Sequence, residues 1–187
     1  SAIWLIVGAF LFSRGFIKTG LGKRIAYNLI AAFGSSSLRL SYALALSDLI
    51  LAPATPSNTA RVGGVIMPIT TSLAKAFGSE PQDGPRKIGS FLMQSIYQVN
   101  TITSAMFQTS MAGNTLVAAL ALQSFGIGIT WGDWAMAAIV PGIIALIIMP
   151  YFIYKVYPPE IKDAREAQQM IREELKGLGK MSFQEWV

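Results

Sequence analysis

Apolar residues dominate the chain, and short polar stretches divide them into segments. The last apolar segment, 135–154, is long enough for one helix to cross the ~30 Å hydrocarbon layer of a membrane. The first, 1–16, is too short for a complete crossing, and we expect it to be the end of a helix. Residues 22–34 place apolar side chains at helical spacing opposite Lys23 and Arg24, which is typical of an amphipathic helix at the cytoplasmic interface or of one packed on protein. The pattern therefore predicts an all-α integral membrane protein.

A polar stretch with two prolines interrupts the next apolar segment near its middle. Pro53 and Pro56 lack a backbone N–H, and each disfavours helix at the residue before it, so the helix that precedes them should end here. Ser57 or Asn58 can cap a second helix. The break then brings free carbonyl groups, free N–H groups and the small polar side chains of 57–59 together. In a bilayer such a break persists only beside protein or a water-filled cavity, where half-helix ends bind carboxylates or cations.

The length of the first arm indicates how this segment enters the membrane. As a helix, 38–51 reaches only about 21 Å, which is less than the thickness of the hydrocarbon layer. We therefore expect a re-entrant helical hairpin over 38–77 with its tip at 52–59, although two complete spans remain open on length alone. Asp48 and Arg61 flank the tip, and we expect them to stabilise it, alone or as a pair. A direct contact between Arg61 and a substrate is the alternative.

The segment 88–125 begins apolar but is unusually polar in its middle for a helix that faces lipid. Its Asn, Gln, Ser and Thr side chains could hydrogen-bond to neighbouring helices. Alternatively, the chain is unwound over 105–113, beside the hairpin tip, and completes an ion site there. The pattern leaves both alternatives open.

Composition and charge limit the possible functions. Hydrophobic residues make up 52% of the chain and charged residues only 13%, as in membrane proteins. The basic residues stand where apolar segments end, as the positive-inside rule expects of a membrane protein. The net charge of +5 therefore does not indicate nucleic-acid binding. The same asymmetry places the loop 126–133 outside the cell and the hairpin base and tail inside. The chain has no Cys and no His, which excludes disulfides, thiolate metal sites and imidazole bases.

Three motifs resemble those of the divalent anion/sodium symporter family: Lys-Thr-Gly-Leu-Gly at 18–22, Pro-Ser-Asn-Thr-Ala-Arg at 56–61 and Pro-Pro-Glu-Ile-Lys at 158–162. The sequence is most similar to the citrate/succinate and 2-oxoglutarate/malate translocators of that family. Its members consist of two inverted repeats, each with one such hairpin. The resemblance implies that this chain, which starts at Ser1 in an apolar segment, is most of the N-terminal repeat of a longer carrier. Residues 1–157 would then belong to the transmembrane domain, and 158–187 would be the cytoplasmic linker between repeats, although a solvated tail would show the same pattern.

The resemblance also implies which side chains form the transport site. The expected substrate-binding residues lie in the tip: Ser57, Asn58 and Thr59. The run Thr-Ser-Met-Ala-Gly-Asn at 109–114 resembles the Thr-Gly-x-x-x-Asn pattern of the family's broken fifth helix, which implies that 88–125 is a transmembrane helix broken in its middle. The expected ligands of a Na⁺ ion come from both stretches: Ser57, Asn58, Thr109, Ser110 and Asn114. No other cofactor is expected.

The implied function is secondary active transport of di- or tricarboxylates, such as 2-oxoglutarate, malate, succinate or citrate. The carrier would work by anion exchange or Na⁺-coupled symport with alternating access, as a homodimer in the bacterial inner membrane. Neutral hydroxyl and amide groups suit an anion that must leave again, and hard oxygen ligands suit Na⁺. Within the family, a symporter of sulfate or another divalent anion is the alternative.

Two alternatives come from other functional classes. An intramembrane enzyme could use Ser57 and Lys75 as a nucleophile and base, but the usual His, Cys and paired carboxylates are missing. A channel or a structural membrane subunit would share the composition, and saturable flux with counterflow would distinguish a carrier from both. We expect no enzymatic activity.

Overall fold

The computed structural model describes residues 7, 11 and 18–179, and those residues form helices joined by turns and loops, without a β-strand. The α-helices are α1 (Leu21–Phe33), α2 (Ser37–Leu51), α3 (Asn58–Arg61), α4 (Met67–Ala76), α5 (Gly89–Met106), α6 (Ala112–Phe125), α7 (Trp131–Val156) and α8 (Arg165–Gly177). The helix end expected over 1–16 lies almost entirely outside the described residues. The mostly helical fold agrees with the predicted all-α class.

The structure interrupts the helix at the two prolines. Helix α2 ends at Leu51 and is followed by a 3₁₀ turn, Ala52–Ala54, that contains Pro53. Ser57 then caps α3, because its side-chain oxygen accepts a hydrogen bond from the backbone N–H of Ala60 at 3.2 Å. A π-helical turn, Val62–Ile66, joins α3 to α4, so that the second arm of the hairpin is one helical run over 58–76.

A second break separates α5 from α6. Phe107 and Met111 have extended backbones, and the residues between them form a 3₁₀ turn, Gln108–Ser110. The interruption, 107–111, lies within the predicted unwound stretch 105–113. We call 107–111 the second break below.

Helix α7 is the one helix among the described residues that is long and apolar enough to cross a membrane. It begins at Trp131, before the predicted start at 135, and the preceding loop is correspondingly shorter than 126–133. The difference has a local cause: Thr130 and Asp133 cap each other's backbone N–H groups in a capping box. The predicted start at 135 rested on the apolar residues alone, and the polar cap begins the helix before them.

The buried core lies where α1, α2, α5, α8 and the second arm of the hairpin meet. Ala26 and Ile30 of α1 are fully buried in it, so protein covers the apolar face of this amphipathic helix. On the other side of that contact, Ala167 and Ile171 of α8 are buried to the same degree. The segment predicted to be a linker or a solvated tail therefore packs on the core as far as the end of α8.

Backbone hydrogen bonds attach the chain before α8 to both ends of the hairpin. Ser37 N–H donates to the carbonyl of Lys162 at 3.0 Å, at the start of α2. Ile161 N–H donates to the carbonyl of Lys87 at 2.9 Å, in the loop that follows the second arm. The base of the hairpin is thus fixed by the tail.

Candidate functional site

Arg61, in the first turn of the second arm, forms a buried salt bridge with Asp48 of α2. Nε of Arg61 and Oδ1 of Asp48 are 2.8 Å apart, and the two side chains are 0% and 2% exposed. The other carboxylate oxygen of Asp48 accepts a hydrogen bond from the hydroxyl of Thr103 on α5. Buried charges must be paired and hydrogen-bonded to be tolerated. The sequence left open whether Asp48 and Arg61 act alone or as a pair, and the structure pairs them.

The remaining N–H groups of Arg61 join the hairpin tip to the second break. Nη1 donates to the carbonyl of Thr55 in the tip at 3.1 Å and to the carbonyl of Ser110 in the second break at 3.2 Å. Nη2 lies within hydrogen-bond distance of three oxygen atoms on α5: Asn100 Oδ1 (3.1 Å), Thr103 Oγ1 (3.2 Å) and Ser104 Oγ (3.0 Å). One guanidinium therefore joins the hairpin tip, the second break and α5.

The three predicted substrate-binding residues share one turn of the tip. Ser57 and Asn58 are half-buried and Thr59 is exposed. Besides the cap formed by Ser57, the side-chain oxygen of Asn58 accepts a hydrogen bond from the backbone N–H of Thr59 at 2.9 Å. These residues stand at the N-terminal end of the helical run 58–76, where free N–H groups and the helix dipole favour an anion.

Thr109, in the second break, and Asn114, in the first turn of α6, have different roles. The hydroxyl of Thr109 donates to the carbonyl of Pro53 at 2.8 Å, so Thr109 reaches the tip directly. The amide of Asn114 instead donates to the carbonyls of Ser104 and Phe107, at 2.7 and 2.9 Å. Both carbonyls lie at the end of α5, where helical partners are lost. The hydrogen bonds among the described residues thus join Thr109 to the tip, and those of Asn114 close the break.

Ser110 also bonds within the second break through its side chain. Its hydroxyl lies 2.6 Å from the carbonyl of Ser104 and 2.7 Å from that of Phe107. Its own carbonyl accepts from Arg61, so Ser110 connects to the tip through its backbone. The side chain is fully buried.

The α5 side chains that bind Arg61 were not predicted from the sequence. Asn100, Thr103 and Ser104 lie on one face of α5, at the spacing at which helical neighbours meet. That spacing, combined with a buried charge elsewhere in the chain, is the signal that could have found them. Thr55 was also missed, because it binds Arg61 through its backbone carbonyl, which no side-chain pattern reveals.

We predict that Arg61→Met destabilises the protein strongly. The variant leaves Asp48 buried without its partner, and breaking a buried pair in this way typically costs ~3–5 kcal/mol. The double variant Arg61→Met/Asp48→Leu should regain most of that loss, because replacing both charges by apolar groups is often nearly neutral. Thermal unfolding of the full-length protein in detergent measures both effects.

Arg165→Met is the matched control for this experiment. Arg165 pairs with Asp163, but their side chains are 73% and 54% exposed, and such a pair contributes little to stability. A wild-type melting temperature for Arg61→Met, or a double variant less stable than Arg61→Met alone, would contradict the role given to the buried pair.

Comparison with known proteins gives a consistent result over the whole chain. Residues 1–187 match the family described as the sodium:sulfate symporter transmembrane region. A putative malate transporter of Bacillus subtilis is 58% identical over 178 residues, which are 95% of this chain and 37% of that protein. A chloroplastic dicarboxylate transporter of Spinacia oleracea is 50% identical over 183 residues, covering 97% and 32% of the two chains.

A third relative has a function of the same kind. The citrate/succinate antiporter of Escherichia coli is 39% identical over 187 residues, which are 100% of this chain and 38% of the antiporter. The chain thus spans about a third of the length of the curated relatives it matches. From the match over 1–187, and as the three sequence motifs indicated, the chain belongs to the sodium:sulfate symporter family, the divalent anion/sodium symporters.

Proposed function

We propose that the protein containing this chain carries di- or tricarboxylates across a membrane by secondary active transport. One observation carries the proposal: a buried guanidinium joins two helix breaks and leaves the small polar residues of the tip beside them. Broken helices of this kind form substrate sites in secondary transporters. The relatives are named as transporters of malate, of dicarboxylates and of citrate and succinate, which supports the substrate class.

The chemistry of the tip suits a carboxylate that binds reversibly. Ser57, Asn58 and Thr59 offer hydroxyl, amide and backbone N–H groups at the start of a helical run, and none of them carries a charge. Arg61 is fully buried, and Asp48 balances its charge. We therefore assign Arg61 to the support of the tip rather than to direct contact with the substrate, the alternative that the sequence left open.

The contacts of Arg61 favour anion exchange over Na⁺ symport. The carbonyls of Thr55 and Ser110, one from each break, both accept N–H groups of the same guanidinium. A fixed positive charge thus holds oxygen atoms that would otherwise be suited to a mobile cation. Among the expected Na⁺ ligands, Ser57, Asn58 and Thr109 also have side-chain oxygens already engaged in hydrogen bonds. We propose exchange of one carboxylate for another, with Na⁺ symport as the alternative.

The helix lengths support the proposed membrane arrangement. Helix α2 has 15 residues and is therefore only about 22 Å long, whereas α7 has 26 residues. We propose that the hairpin is re-entrant, that this chain is most of one of two inverted repeats, and that the complete carrier is a homodimer in a bacterial inner membrane. The substrate would reach its site from alternate sides.

The position of Lys75 argues against an intramembrane enzyme with a Ser57/Lys75 pair. Ser57 caps the start of the helical run 58–76, and Lys75 lies close to its end. At ~1.5 Å per residue, their backbones are ~27 Å apart. A nucleophile and its base must lie within hydrogen-bond reach, so these two residues do not form such a pair.

The proposed exchange can be measured with the full-length protein in liposomes. Uptake of labelled malate should saturate, should require a dicarboxylate inside the liposomes, and should be unchanged when K⁺ replaces Na⁺. Uptake that needs a Na⁺ gradient and no internal anion would identify a symporter, and flux that does not saturate would identify a channel. Transport of sulfate but of no carboxylate would support the other substrate class.

Asn58→Ala tests the tip directly. We predict that saturable uptake is lost while membrane insertion and expression remain normal, because the amide offers both an acceptor and donors beside the break. The matched control is Asn28→Ala, since Asn28 is exposed on α1 and its amide donates only to the carbonyl of Arg24 in the hydrogen bonds of the described residues. Near-normal uptake by Asn58→Ala at equal expression would remove Asn58 from the site.

A further inference from the structure

The first residue of α7, Trp131, contacts the second break in two ways. Its ring stacks on that of Phe107, with centroids 5.8 Å apart and an interplanar angle of 15°. Its indole Nε1 donates to the hydroxyl oxygen of Thr109 at 3.0 Å. Stacking fixes the plane of the indole, and the hydrogen bond fixes the direction of its N–H group.

Thr109 extends this contact to the hairpin tip. The same hydroxyl donates its proton to the carbonyl of Pro53 at 2.8 Å. A hydroxyl can accept one hydrogen bond and donate another at the same time, and each bond in such a chain polarises the next. Trp131, Thr109 and Pro53 therefore form a continuous relay from the start of α7 to the tip.

We infer that Trp131 is a positioning residue that sets the conformation of the hairpin tip through Thr109. The inference rests on the proposed function, because the tip is where that function places the substrate. Pro53 belongs to the turn directly after α2, where the chain changes direction towards Ser57. When both hydrogen bonds of the relay are formed, Trp131 fixes the orientation of this turn through Thr109.

Trp134 provides a matched control within the same helix. It also lies in the first turns of α7 and donates from its indole Nε1 to a carbonyl, that of Ala105, at 2.9 Å. Its acceptor belongs to α5 rather than to the second break or the tip. Substituting Phe for Trp134 removes a comparable hydrogen bond outside the relay.

A double-variant cycle in the full-length carrier tests the relay. This chain has no Cys, so Ala54→Cys, next to Pro53, serves as a reporter of tip exposure to a water-soluble maleimide once any Cys in the rest of the carrier is replaced by Ser. Trp131→Phe keeps an aromatic ring for stacking and removes the donor. Its reporter should be modified about threefold to tenfold faster, the size of effect expected for one hydrogen bond.

Thr109→Val should have at least as large an effect, and the variant with both changes should not exceed Thr109→Val alone, because both interrupt the same path. Trp134→Phe should leave the modification rate unchanged. In uptake assays without the reporter, Trp131→Phe should raise the half-saturating substrate concentration by a similar factor and keep the maximal rate within about twofold.

Several results would overturn the inference. These are additive effects of Trp131→Phe and Thr109→Val, an equal effect of Trp134→Phe, or an unchanged reporter in Trp131→Phe. If Trp131→Phe does not fold, Thr109→Ser and Thr109→Val decide instead: the serine should behave as wild type and the valine should not, and equal behaviour of the two refutes the relay. A responsive reporter in a protein that carries no carboxylate would refute the proposed function and leave the relay intact.

Discussion

The guanidinium of Arg61 is the contact on which the arrangement of both helix breaks depends. A break in apolar surroundings leaves carbonyl groups without helical partners, and each such group is costly unless it is hydrogen-bonded. Arg61 supplies donors to the carbonyls of Thr55 and Ser110, while Asp48 balances its charge. Arginine suits this position because its planar fork directs several N–H groups at fixed angles, which a lysine ammonium cannot do. The residues proposed to bind substrate can then remain uncharged, since the charge of Arg61 is buried and paired with Asp48.

Backbone hydrogen bonds hold the other end of the hairpin. The tail pairs with the entry to α2 and with the loop that follows the second arm, through Lys162 and Ile161. Helix α8 then covers α1, and Gln168 donates to the carbonyl of Ala31 in the last turn of α1. The hairpin is thus fixed at its base by the tail and near its tip by Arg61. Support at both ends of the hairpin keeps the geometry of the proposed site.

Local features were predictable from sequence, and contacts between distant segments were not. Pro53, Pro56 and the cap at Ser57 act within a few residues, so the first break could be located. The unusual polarity of 88–125 was compatible with a second break, and the resemblance of 109–114 to the family's broken helix favoured it. By contrast, the partners of Arg61 on α5 are far away in the chain, and a buried carboxylate in α2 completes the set. The contacts of Asn114 also depend on its neighbours in space: its amide nitrogen closes the break, and its role as a Na⁺ ligand stays a prediction.

The most direct test of this account is an experimental density map of the full-length carrier with a bound dicarboxylate. We predict a carboxylate group at Ser57 and Asn58, with the Arg61 guanidinium still hydrogen-bonded to the carbonyls of Thr55 and Ser110 and paired with Asp48. A continuous helix through 107–111, or a carboxylate bound directly to Arg61 with Asp48 displaced, would contradict it.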